Sequence, residues 1–196
     1  MSKTIYLDQY NNLLDTLSKM ANDTNLNVID ETGGNYFNEN VNFFTKSFMV
    51  MMCAYLESYL KDALMVIIDE MNNRLVVSKL PHNLIKWNLS NKELKDADLK
   101  FEDLKITIKR RDLDEFISGN PFRTIPLFKK FGIELEMNAT FNNQKEIINT
   151  IVTKRNNIIH HNDDASDLAF NDIISNINFI RSYVNNIDQI VVSHIS

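Results

Sequence analysis

The sequence predicts an all-α fold, a four-helix bundle with an inserted helical or irregular segment between the second and third long helices. Three observations carry this. Apolar residues recur at helical spacing over four long stretches. Glycine and proline number only 4 and 3 in 196 residues, too few for the many tight turns of a sandwich or barrel. The one stretch with strand-like alternation, Leu104 to Lys109, is short and stands alone.

The elements follow in order. Ile5, Leu7, Leu13, Leu14, Leu17 and Met20 set a first helix over about 4–22. An Asn-, Asp- and Gly-rich loop over 22–40 comes next, with Gly33-Gly34 as its flexible point. A long second helix covers about 41–78. It is apolar on nearly all sides between Phe48 and Leu56, the pattern of a central helix with several neighbours, and Met49, Met51 and Met52 read as core. Pro81 ends it.

The insertion, about 82–140, is less regular. Ser90 with Glu93 three residues on resembles a capping box and so a helix start. Leu104 to Lys109 suits a short strand or an irregular segment, and Arg111 to Ile117 one or two helical turns. Ser118 to Pro121 is a turn, and Thr124 to Gly132 a short helix with Pro126 in its first turn. A third long helix spans about 142–160, its apolar face formed by Ile147, Ile148, Ile151, Val152, Ile158 and Ile159. The fourth spans about 166–192, capped by Ser166 or Asp167. Leu168, Ile173, Ile174, Ile177, Ile180, Val184, Ile187, Ile190 and Val191 face its core. With neither internal repeat nor long linker, residues 1–196 read as one domain.

Composition narrows the function. The formal net charge of −5 argues against broad coating of nucleic acid. Cations nonetheless gather at 100–130, eight against five acids, while 161–196 holds five Asp against Arg181. The single cysteine, Cys53, lies in the most apolar stretch and reads as a buried structural residue. A chain without disulfides, signal peptide or membrane span is expected in the cytoplasm. There is no Walker loop, GxGxxG, GxSxG or HExxH, and four His with one Cys offer no zinc site. No cofactor or metal is expected.

One polar cluster remains, Lys154-Arg155-Asn156-Asn157-Ile158-Ile159-His160-His161, at the end of the third helix. Asn156 and His160, four apart, share a face. Arg155 and His160, five apart, project about 140° from one another. Two such helices meeting across a twofold axis would bring both motifs to one seam. RNA cleavage without metal suits these residue types. Histidine can take the 2′-OH proton and protonate the leaving 5′ oxygen. Arginine meets the added negative charge on phosphorus. Asn156 can orient the histidine, the phosphate or the ribose. The same residues would also serve as cations complementing a helix C-terminus.

Arg155-Asn156-x-x-x-His160 resembles the R-x(4–6)-H signature of HEPN domains, including the polar residue after the arginine that catalytic members usually carry. Tyr55-Leu56-Glu57-Ser58-Tyr59-Leu60 resembles the matching helix of the RiboL-PSP and MAE_28990-type HEPN groups. So does Phe122 to Phe128 followed by Phe131-Gly132. The resemblance covers about residues 40–190. It implies a HEPN-like all-α domain that homodimerises through the motif helices and builds a composite ribonuclease site with Arg155, His160 and Asn156. It further implies a toxin, abortive-infection or defence role, with an antitoxin or other regulatory partner. Some HEPN proteins bind nucleotide or RNA without cutting it. His161 fits the motif spacing too, and His160 is favoured because Asn156 shares its face.

A carboxylate in so apolar a stretch needs a partner. Glu57 either pairs with Arg155 and holds it, or lies at the solvent edge or pairs with Lys61. Lys109, Arg110 and Arg111 could grip RNA phosphates, although Asp112, Asp114 and Glu115 offset them. Trp87 suits base stacking or packing.

Overall fold

The computed structural model describes residues 2–30, 35–90, 93–161, 165 and 167–196, with only the backbone of His161. Its helices are α1 (Leu7–Ile29), α2 (Tyr36–Glu39), α3 (Val41–Ser78), α4 (His82–Leu89), α5 (Pro121–Lys129), α6 (Ala139–His161) and α7 (Phe170–Ile195). Among the described residues there is no strand; a single bridge joins Pro81 and Asp103. The bundle is α1, α3, α6 and α7. Helix α3 packs on the other three, and α7 lies against α1, α3 and α6.

Helix α3 is central because its sequence is apolar nearly all round. Met49, Met52, Cys53, Leu56, Tyr59, Leu60, Ala63, Leu64 and Ile67 are fully buried. At 38 residues it is about 57 Å long. Met51 departs from the expected core, being 44% exposed. Lys79 then adopts the left-handed conformation, φ 48°, and stops the helix two residues before Pro81. No described helix is long and apolar enough to cross a membrane.

Three expected boundaries shift. Helix α1 runs to Ile29, seven residues past its expected end. The buried stripe Tyr10, Leu14, Leu17, Ala21, Thr24 keeps heptad spacing into the polar stretch, where small side chains suffice. The Thr24 hydroxyl donates to the Met20 carbonyl and so hides its polarity. Ile5 and Met20, expected on the apolar face, are exposed. Helix α6 begins at Ala139, where the Asn138 side chain accepts from the Phe141 N–H. Helix α7 begins at Phe170: the Asp172 carboxylate accepts from the Ala169 N–H, and Asp167 is not the cap. Ser166, Gly33 and Gly34 lie outside the described residues.

The insertion also departs from its reading. Ser90 ends α4 rather than starting a helix, its N–H bonded to the Lys86 carbonyl. Leu104 to Lys109 is irregular. It lies along α3 because the Asn72 amide donates to the Ile106 carbonyl and accepts from the Ile106 N–H. A 3-10 turn, Arg110–Leu113, follows. Pro121, not Pro126, opens α5, with Asn120 as its cap.

Two buried polar networks bind the parts. The Asp62 carboxylate accepts from the Tyr10 hydroxyl and from Arg110 Nε at 2.6 Å, joining α1, α3 and the insertion. Asp188, 1% exposed, accepts from the Thr4 N–H and hydroxyl and from the Tyr59 hydroxyl at 3.0 Å, tying the residues before α1 to α7.

Candidate functional site

The polar cluster lies in the last two turns of α6. The apolar face of that helix, Ile148, Ile151, Val152 and Ile158, is buried against the bundle. Ile147 and Ile159, expected on the same face, are 39% and 47% exposed. Arg155 falls in the middle of the buried arc and therefore points at α3.

There it meets Glu57. Arg155 Nη2 donates to Glu57 Oε2 at 2.8 Å, and Nη1 donates to Asn156 Oδ1 at 2.9 Å. The two side chains of the ion pair are 15% and 27% exposed, so the pair is partly desolvated but still reaches solvent. Lys61, the other partner considered for Glu57, binds Asp114 instead. Of the placements the sequence leaves open for Glu57, the structure has the ion pair with Arg155. Arg155 Nε is buried and has no partner among the described residues.

Glu57 is held from behind. Its Oε1 accepts from the Gly119 N–H at 3.3 Å, and Gly119 packs closely on Val152, where an added Cβ would lie 3.1 Å from Cγ2. Cys53 lies one turn before Glu57 on α3. Burial pushes its thiol up to about 12, the Arg155 charge pulling it down and the Glu57 charge raising it, so it is a packing residue beneath the pair.

His160 is exposed at the end of α6, about 140° around the helix from Arg155. The described side chains therefore bring together Arg155, Asn156 and Glu57, and leave His160 projecting separately from the same helix. The side chain of His161 lies outside the described residues. Lys154 pairs with Asp167 at 2.8 Å, which holds the Asp167 carboxyl below its usual range and links the end of α6 to the entry of α7.

The sequence model of the RiboL-PSP-HEPN family matches residues 7–193, and so covers the bundle, the insertion and the site. The chain belongs to this family. No curated protein and no solved structure matches it. Within this HEPN domain the weaker candidates are distributed differently. Arg110 is committed to Asp62. Arg111 is exposed beside Asp112, and the Lys109 N–H donates to Asp112. Trp87 lies on α4 and is 44% exposed. Among the described residues no cluster of His, Cys, Asp and Glu side chains is placed to hold a metal ion.

Sequence reasoning did not single out Gly119, Asn120 and Asn149. Asn120 Nδ2 donates to Asn149 Oδ1 at 2.9 Å, fastening the turn before α5 to the motif helix. The available signal was spacing. Asn149 precedes Asn156 by seven residues and so lies nearly on its face.

Proposed function

We propose that this HEPN domain is a metal-independent endoribonuclease of toxin or defence type, cleaving RNA by attack of a ribose 2′-hydroxyl on the adjacent phosphate. The observation that carries this reading is the state of Arg155. Its guanidinium is fixed by Glu57 and Asn156, is partly withdrawn from water, and keeps an Nε without a partner among the described residues, five residues before the exposed His160. A cation held rigid in a partly desolvated place meets charge developing on a phosphorane without reorganising. Exposed His160 is free to exchange protons with substrate.

The chemistry needs a base for the 2′-hydroxyl and an acid for the leaving 5′ oxygen, and one copy offers one His160. Arg155 and His160 also project about 140° apart on α6. A homodimer packed through the two motif helices supplies two of each at one seam, with one histidine as base and the other as acid. The exposed Ile159, next to His160 on α6, suits such a contact. The products are a 2′,3′-cyclic phosphate and a 5′-hydroxyl. An antitoxin or other regulatory protein would act by covering this seam.

The test is cleavage of a mixed cellular RNA pool in EDTA by wild type and His160→Ala, with analysis of the ends. Cleavage by wild type alone, leaving cyclic phosphates, is the expected result. No cleavage by a verified dimer across RNA classes would leave a module that binds RNA or nucleotide without cutting it.

A further inference from the structure

We propose that Gly119, in the turn leading into α5, is a positioning residue for Arg155 and acts through Glu57. The segment between α3 and α6 then forms part of the site rather than a decoration beside it.

A carboxylate held at one oxygen can swing about its Cγ–Cδ bond. Glu57 is held at both. Oε2 accepts from Arg155 Nη2 at 2.8 Å, and Oε1 accepts from the Gly119 N–H at 3.3 Å. The backbone amide fixes the carboxylate plane, and that plane in turn selects the orientation of the guanidinium, because the Arg–carboxylate bond is directional. A side chain at residue 119 would crowd this approach, so that Val152 or the turn would have to yield by a few tenths of an ångström. A Cβ there would lie 3.1 Å from Val152 Cγ2 and 3.4 Å from Leu56 Cδ2. Gly119 does not have a positive φ, so the requirement is close approach and not backbone conformation.

The turn is itself tied down by hydrogen bonds. The Thr124 hydroxyl donates to the Ser118 carbonyl at 2.9 Å, and Asn120 Oδ1 accepts from the Phe122 N–H at 2.9 Å. Asn120 Nδ2 donates to Asn149 Oδ1, two turns before Arg155 on α6. The turn therefore contacts both helices that carry the ion pair. A shift of the insertion is delivered to the guanidinium by way of two hydrogen bonds and one glycine.

Two readouts test this, and only the second rests on the nuclease reading. The first is the Arg155 Nε–H resonance and its exchange rate with water, in uniformly labelled protein whose Arg155 signal is assigned through Arg155→Lys. We expect Gly119→Ala to shift that signal and speed its exchange, as Glu57→Gln does, with no further change in the double variant. The second is the rate of RNA cleavage. Gly119→Ala should lower kcat roughly 10- to 100-fold with KM little changed, and should have no added effect in the Glu57→Gln background. Should Gly119→Ala not fold, Asn149→Ala frees the turn from the outside and should give the same changes in smaller measure. An Arg155 signal unaltered by Gly119→Ala, or by Asn149→Ala where that variant is used, but altered by Glu57→Gln overturns the proposal. Absence of cleavage by the wild type overturns the nuclease reading and leaves the resonance test standing.

Discussion

At the residue scale, what surrounds Arg155 and His160 separates a loss of chemistry from a loss of fold. Glu57 is partly buried and bonded to a cation, so Glu57→Gln should cost about 1.5–3 kcal/mol in urea unfolding. His160 is exposed at a helix end, so His160→Ala should change stability by less than about 0.5 kcal/mol while removing cleavage. Asp188 offers a control far from this chemistry. All its described partners are donors, so Asp188→Asn sets an amide N–H2 among them and should cost about 1–3 kcal/mol. Neither network partner was legible beforehand. Asp188 interrupts an apolar stripe as any solvent-facing aspartate would, and nothing local to it names Thr4 or Tyr59. Arg155, Asn156 and His160 stood out in the sequence because their types and spacing suit one chemistry, and of these the structure joins Arg155 and Asn156. The pairing of Glu57 was legible only as one of several options.

At the scale of elements, periodicity located the long helices and both ends of α3, and missed where α1 ends and where α6 and α7 begin. Helix α3 ends at Ser78 as its pattern implies, because an apolar surface on several sides leaves no other solution. Helix α1 overran its expected end because Ala21 and Thr24 carry the stripe with little hydrophobicity to show for it. The insertion was hardest to read because side-chain bonds to distant backbone hold it, as Asn72 holds Ile106, and such bonds leave no period in the sequence. Arg110 is the clearest case. It sits in a basic run that suggests phosphate contacts, yet its partner is Asp62 on α3. The Arg110 charge and the Tyr10 hydroxyl meet at one carboxylate, and burial with that carboxylate raises the Tyr10 pKa. Arg110→Ala should therefore destabilise the fold by about 1–2 kcal/mol. Its effect on RNA affinity should be small, with the salt dependence of binding unaltered. A flatter salt slope would instead assign Arg110 to the RNA.

At the scale of the whole molecule, the core sets a limit on alkaline stability. Burial raises the Cys53 thiol to about 12, and raises the hydroxyls of Tyr10, Tyr59 and Tyr183 above their usual value. In the unfolded chain these groups lose their protons from about 9 for the thiol and 10 for the phenols. Above pH 9 the unfolded state thus binds fewer protons than the folded state, and stability falls as pH rises. Urea midpoints measured from pH 8 to 11 should show the decline beginning near pH 9, and more shallowly in Cys53→Ala. The same burial should keep Cys53 unreactive toward thiol reagents until the chain unfolds.

The site, meanwhile, asks the fold to tolerate an ion pair drawn partly out of water, and experiments on that site will spend stability. Lys79 indicates where some can be recovered. A lysine occupies the left-handed position that ends α3, and glycine takes that conformation without the clash a Cβ brings. Lys79→Gly should raise stability by up to about 1 kcal/mol, partly offset by the added freedom of glycine in the unfolded chain. This HEPN domain therefore has engineering headroom at an exposed helix end, and a Lys79→Gly background would let destabilising variants of the motif be purified folded and assayed for chemistry alone.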